Sequence, residues 1–340
     1  MNFKERLEEF VKLDSGIVQI FILIVTFTFY LITKDAPQYR HIAPIFGILV
    51  AVEFIVFVAL EIKKGAEKHG IKNEILDIAK SLGVVLLIWL FISIILRTSV
   101  PISAVVSCSM LPNLQRGDLA IIRGVSASEI TASEINVSLD EFKKIITPKT
   151  RVYSPYKNFT VNGSIFSYCQ AYKNHDSVCE DFIREPERFV EQRGPLIFTY
   201  SKCKRKTLNA DTFEEQQCVI SILHNGKMYK TNLSNSIVVY QPNNGDLFSY
   251  TGDIIHRVYL KINVDGQEYF LTKGDNNNIF DMQFFDYRRQ LANTPFQEKN
   301  IKGATIFTIP YIGYFKLFLS GFVEETFYCN TNLFFSRSEL

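Results

Sequence analysis

Ser109 stands in Ser107-Cys108-Ser109-Met110-Leu111-Pro112, a hydroxyl just ahead of a proline turn. Hydrolysis by a serine needs such a hydroxyl at an exposed turn, a base within hydrogen-bond reach, and a third group that orients the base and stabilises its charge. The chain has five histidines, His41, His69, His175, His224 and His256, so the base can be sought by elimination. Downstream, Thr272-Lys273-Gly274-Asp275-Asn276-Asn277 and then Asp281 set two carboxylates, Asp275 and Asp281, around a Gly/Asn-rich turn. Cys108 is a nucleophile by type, but no helix start or adjacent base marks it for thiolate formation. Taken singly, each signal also has a plain reading: a serine before Met-x-Pro is a loop, and His256 followed by Arg257 is a surface pair.

Whatever elements hold these residues follow a hydrophobic amino-terminal third. Apolar runs at about residues 16–33, 42–62 and 82–97 approach the roughly 17 to 25 residues of a membrane-spanning helix, the third borrowing Ser81 and Arg97 as snorkelling ends. A cleaved leader fits the first run less well, because its charged lead-in is long and no small-residue cleavage site follows Tyr30. The net charge of +2 with scattered Lys and Arg argues against a nucleic-acid partner. The six cysteines have no zinc-ligand spacing, and nothing in the sequence calls for a metal or cofactor.

Lys4, Arg6 and Lys12 precede the first span, and Lys63, Lys64, Lys68, Lys72 and Lys80 lie in the 63–80 loop between the second and third, against only Lys34 and Arg40 between the first two. The bias toward basic cytoplasmic loops puts the amino terminus and the 63–80 loop inside, and everything after Arg97 outside. Glu53, within the second run, reads as a packing feature. An external domain permits disulfides among Cys169, Cys179, Cys203 and Cys218, with three connectivities open and sequential pairing the simplest. Sequons at Asn136, Asn158, Asn162 and Asn232 suit the same side. His69 is then cytoplasmic, and His41 sits in the short outer loop. His175 and His224 lie in a polar stretch described next, so His256 remains as the base.

Beyond the spans the apolar residues come in short β-rich runs at 119–123, 236–240, 246–250, 257–264 and 268–273, the last two joined by an Asp265-Gly266 hairpin turn. The fold class is mainly β. Residues 125–235 differ, being rich in Ser, Asn, Lys and Cys, and read as an inserted lobe that disulfides staple. The expected organisation is a membrane domain over 1–100, a core from 101–124 and 236–325, and the lobe at 125–235. The interrupted apolar segment 311–335 is expected to pack on the core or dip into the membrane interface.

The motifs, in this order, resemble signal peptidase I of the archaeal and endoplasmic-reticulum type, which uses histidine as its base. Ser107-Cys108-Ser109-Met110-Leu111-Pro112 with Gly117-Asp118 is similar to the nucleophile box, and Asn244-Gly245-Asp246-Leu247 to the next Gly-Asp strand. Ile255-His256-Arg257-Val258 resembles the base box, and Leu271-Thr272-Lys273-Gly274-Asp275-Asn276-Asn277 with Asp281 the acid box. Ile301-Lys302-Gly303 and Ile309-Pro310-Tyr311-Ile312-Gly313 look like the closing segment. The resemblance implies a β-rich peptidase core anchored by the amino-terminal helices, with Ser109 attacking after a small residue and His256 as general base. Asp281 matches the triad carboxylate and Asp275 a supporting acid, while the Ser109 N–H and Ser107 hydroxyl form the oxyanion site. It also implies secretory preproteins as substrates, the bilayer and a translocon or accessory subunits as partners, and a multi-pass protein of the cell membrane, or of the endoplasmic reticulum in a eukaryote. Two departures stand out. Cys108 replaces a usual glycine, which an extended backbone tolerates and a left-handed one resists. The interval from Ser109 to His256 is also long, and the lobe accounts for it.

Two other readings fit parts of the sequence: an inactive membrane receptor or scaffold, which needs Ser109, His256, Asp275 and Asp281 to coincide by accident, and a peptidase of this fold dedicated to a special client. The orientation is testable by proteolysis of sealed vesicles with the cytoplasmic face outward. Protease is expected to reach the 63–80 stretch and to spare a fragment beyond residue 97; digestion of that fragment would reverse the orientation.

Overall fold

The computed structural model describes residues 15–36, 38–172, 176–207, 212–324, 329 and 331–334. Lys4, Arg6, Lys12, His175 and the 325 and 335 positions of the expected carboxy-terminal segment lie outside the described residues. The helices are α1 (Ser15–Asp35), α2 (Ala43–His69), α3 (Ile71–Ile95), α4 (Leu139–Ile146), α5 (Ile165–Tyr172), α6 (Ser177–Arg184) and α7 (Gly313–Leu319). The chain divides into two compact units, Met1–Ile95 with Tyr311–Phe327, and Leu96–Pro310 with Tyr328–Leu340.

The first unit holds α1–α3 and α7. Its three long helices, with apolar stretches Gly16–Lys34, Arg40–His69 and Ile71–Ile95, are long and apolar enough to cross a membrane. Side chains such as Leu87, Phe91 and Ile94 stand exposed along α3, an outer surface that hydrocarbon solvates and water does not. Pro44 lies in the first turn of α2, where a missing N–H costs no helical bond. Phe29 stacks on Phe46 between α1 and α2, and Thr26 donates to Glu53 Oε1 at 3.0 Å, so Glu53 is tied to the neighbouring helix. The 63–80 stretch is helical rather than a loop. Its Lys and Glu are good helix formers, and only Gly70, at φ 81°, separates α2 from α3. Segment 311–335 divides between the two units: Cys329 and Thr331–Phe334 join the β-rich unit, through a disulfide to Cys108 and a strand on Leu196–Thr207, while the part from Tyr311 belongs to the helical unit. Its first part forms α7, whose Phe318 ring lies 4.6 Å from Tyr30 and close over Gly47, where a Cβ would come within 3.2 Å of it.

The second unit is β-rich. Its strands are β1 (Ile102–Ala104), β2 (Leu119–Arg123), β3 (Ser133–Val137), β4 (Lys149–Tyr153), β5 (Asn158–Asn162), β6 (Val190–Arg193), β7 (Leu196–Thr207), β8 (Phe213–His224) and β9 (Lys227–Lys230). They continue with β10 (Ile237–Tyr240), β11 (Ile254–Val264), β12 (Gln267–Lys273), β13 (Phe285–Asp286), β14 (Leu291–Ala292), β15 (Phe296–Gln297), β16 (Ile301–Ile309) and β17 (Thr331–Phe334). One curled sheet runs β1-β2-β16-β10-β11-β12-β15, antiparallel throughout, with β3 added parallel to β11. A second runs β5-β4-β6-β7-β8-β9, with β17 also paired to β7, and β13 and β14 form a separate two-stranded ribbon. The hairpin of β11 and β12 turns at Asp265 (φ 50°) and Gly266 (φ 86°), the two left-handed positions that such a turn requires. Leu247–Tyr250 form a 3-10 turn, with Asp246 in the N-cap position, where a strand over 246–250 is expected. Asp246 takes hydrogen bonds from Thr294 N and Oγ1, and Ser249 bonds back to Asp246 O, so side-chain bonding wins over a short β-rich run. Arg97, at φ 53°, pairs with Glu129 at 2.8 Å.

The hydrophobic core belongs to both sheets. Phe198 and Ile222 from 125–235 share one buried cluster with Tyr259, Leu260 and Phe280. Disulfides join Cys169 to Cys179 and Cys203 to Cys218, and a third joins Cys108 to Cys329. Non-reducing peptide mapping is expected to recover these three pairs. Replacing Cys203 and Cys218 together by alanine should lower stability by about 2–4 kcal/mol, read as a fall in Tm; unchanged melting would mean that the bond is absent in the folded protein.

Candidate active site

The nucleophile segment spans the connection between β1 and β2. Val105 N–H donates to Asp118 O and Gly117 N–H to Val105 O, both at 2.9 Å, which closes the loop at its base. Met110 and Leu114 are buried beneath it with Val105 and Ala120. Asn276 N–H donates to Ser109 O at 2.7 Å and Asn276 Nδ2 to Cys108 O at 3.0 Å, so the acid-box turn holds the backbone of the nucleophile segment. Cys108 is not among the residues with positive φ, and its sulfur is bonded to Cys329, which leaves no thiolate there.

His256 sits in β11 opposite Val238 of β10, in a run of the strand that is buried on both faces. Its Nε2 lies 2.9 Å from Ser109 Oγ, and its Nδ1 lies 2.7 Å from Asp281 Oδ2. A carboxylate only accepts, so Nδ1 carries the proton and Nε2 is left to accept from the serine hydroxyl. Asp281 Oδ2 also accepts from Thr272 Oγ1 at 2.6 Å and from Tyr240 OH at 3.0 Å. Burial, and secondarily the charge of Asp281, raise the Tyr240 phenol well above its ordinary pKa, so it stays a donor. His256 and Asp281 are only 5% and 7% exposed, which strengthens every electrostatic term between them.

Asp275 is placed elsewhere. It receives Arg257 Nε at 2.8 Å and Nη2 at 2.7 Å in a two-pronged pair, and Asn113 Nδ2 at 2.7 Å. Arg257 further donates to the carbonyls of Leu233 and Asn235. Asp275 thus ties the acid box to the nucleophile segment and to the end of the inserted stretch. The His256–Arg257 dipeptide is accordingly no surface pair, since both residues are buried. Ser107 Oγ lies 3.1 Å from Ser109 Oγ, beside the hydroxyl that would react. Burial pulls the Lys273 ammonium down to about 8, against the opposing pull of Asp275 and Asp281.

Sequence reasoning passed over Tyr240, Thr272, Asn276, Lys273 and Cys329 as members of the site. Thr272 and Asn276 stand inside the quoted acid box, so proximity in the motif was a usable signal. Tyr240 and Cys329 join through tertiary contacts alone.

A hydroxyl, an imidazole and a carboxylate in one hydrogen-bonded line can deprotonate the hydroxyl for attack on an acyl carbon. Relatives of known function carry this chain's similarity further. It is 30% identical to a signal peptidase complex catalytic subunit SEC11 of Metarhizium acridum over 99 residues, 29% of this chain and 52% of that protein. The same-named subunit of Yarrowia lipolytica is 34% identical over 70 residues, 21% of this chain and 39% of that protein. That of Chaetomium globosum is 29% identical over 134 residues, 39% of this chain and 73% of that protein. The chain spans about half of the Metarhizium protein's length and less of the Yarrowia protein's. No family model matches the chain, and no solved structure matches it. The family that the order of the motifs resembles is also the one that names these relatives: over part of its length the chain is similar to signal peptidase complex catalytic subunits.

Proposed function

We propose that this chain is a membrane-bound signal peptidase, a serine endopeptidase that removes amino-terminal signal peptides from secretory preproteins after small residues, on the non-cytoplasmic face of the membrane. The observation that carries the reading is the unbroken line Ser109 Oγ–His256 Nε2, His256 Nδ1–Asp281 Oδ2. His256 takes the hydroxyl proton as Ser109 Oγ bonds to the scissile carbonyl carbon, and Asp281 stabilises the imidazolium that results. The proton then passes to the departing amine as the carbon–nitrogen bond breaks, and water releases the acyl group by the reverse sequence. The Ser109 N–H and the Ser107 hydroxyl meet the developing oxyanion, each such donor contributing about 2.7–4 kcal/mol in comparable sites. The names of the relatives support a catalytic subunit of a larger complex, with other subunits as partners, and the motif resemblance adds the endoplasmic-reticulum membrane as its place in a eukaryote.

In membranes containing a precursor with an Ala-x-Ala site, Ser109→Ala is expected to cut cleavage about a thousandfold or more. Cleavage at the parent rate would sink the mechanism. The two carboxylates should separate cleanly. Asp281→Asn should lower kcat by about 10²–10⁴-fold with little change in Tm, because it disturbs the imidazole's tautomer and charge. Asp275→Asn should instead lower Tm markedly, since it leaves the buried Arg257 without its charge partner. The reverse pattern would exchange their roles.

A further inference from the structure

Arg205 belongs to β7, in the inserted stretch, and is 2% exposed. Its Nη1 donates to Asn276 Oδ1 at 2.9 Å and to Thr331 Oγ1 at 3.2 Å, and its Nη2 to Asn276 O and Asn278 Oδ1, both at 2.9 Å. Its Nε donates to Gln216 Oε1 at 3.0 Å, across the β7–β8 hairpin. A guanidinium offers its donors in a rigid plane, so acceptors gathered on it are fixed relative to one another.

Asn276 is where that plane meets the reactive segment. Its Oδ1 also accepts from Leu333 N–H at 2.9 Å, and its Nδ2 donates to Thr331 O at 2.9 Å as well as to Cys108 O. Its backbone N–H holds Ser109 O at 2.7 Å. Two hydrogen bonds therefore lead from the guanidinium to the carbonyl of the nucleophile itself. The close approach is built in: a Cβ on Gly274 would stand 2.6 Å from Ser109 O, so only glycine admits the turn this near.

Resting on the serine peptidase reading, we infer that Arg205 is a positioning residue for Ser109, acting through Asn276 to set Ser109 Oγ against His256 Nε2. The inserted stretch thereby takes part in the reaction of a site to which it contributes none of the reacting groups. A purely structural Arg205 would affect folding and leave the folded enzyme's turnover alone. A positioning Arg205 acts on turnover, because a displacement of about 1 Å of a reacting atom costs about a hundredfold.

The test uses the full chain in membranes with the same Ala-x-Ala precursor and compares Arg205→Lys and Arg205→Met with the parent. The expected result is a kcat lowered about 10- to 100-fold with KM within about twofold, in variants that keep their disulfide pattern. Amide exchange at 107–111 and 275–278 should also speed up about tenfold, while 254–264 stays protected. Turnover within about twofold of the parent in a folded variant would overturn the inference. If Arg205→Met does not fold, Arg205→Lys decides, because it keeps the charge and loses the fork. Should the parent itself cleave no precursor, the peptidase reading fails and exchange alone decides: faster exchange at 107–111 and 275–278 supports the positioning, and parent-like exchange overturns it.

Discussion

A carboxylate shut under a buried imidazole has to be solvated by the protein, and the arrangement of the second unit follows from that need. Withdrawing such an ion from water costs several kcal/mol, while each hydrogen bond to it returns about 1.5–3 kcal/mol. Asp281 Oδ2 gathers three, from His256, Thr272 and Tyr240. These donors come from β11, β12 and the end of β10, which lie side by side in the first sheet as β10-β11-β12. Three adjacent strands must therefore aim one side chain each at a single oxygen. A one-residue slip of any of them would turn its donor to the opposite face.

The inserted stretch is bound into this frame. Gln283, two positions after Asp281, donates to Glu191 Oε2 and Tyr200 OH, and Arg193 donates to Met282 O. Asn293 Nδ2 holds Asp281 O at 2.9 Å. Burial raises the Glu191 carboxyl to about 7 despite the hydrogen bonds it accepts, which marks how dry this junction is. Polar groups this deep are costly unless bonded, so the turn carrying Asp281 is held by the second sheet as firmly as by its own.

Much of this was legible locally. The apolar runs gave the long helices, short β-rich runs gave β10–β12, and Asp-Gly marked the hairpin, because each depends on neighbours in sequence. The motif order brought Ser109, His256, Asp275 and Asp281 to attention. What escaped depends on groups far apart in the chain. The 63–80 stretch looked like a loop because its charges mark a membrane boundary, which does not forbid a helix. Segment 246–250 looks like a short β-rich run, but the bonds of Asp246 to Thr294 lie beyond any local window. The pairing of Cys108 with Cys329 and the partners of Asn276 require the tertiary fold, so no spacing rule announces them.

The attachment of Cys108 to Cys329 also sets an order of assembly. The two cysteines are 221 positions apart, and the same stretch supplies Asn276 with Thr331 O and Leu333 N. Ribosomal synthesis delivers the nucleophile first, the base and acid next, and residues 329–333 last. Through that interval Cys108 has no sulfur partner at its native position, and the amide that grips Ser109 has only part of its own support. Completion of the 107–112 segment is thus deferred until residues 329–333 have been made, well after Ser109, His256 and Asp281 are in the chain.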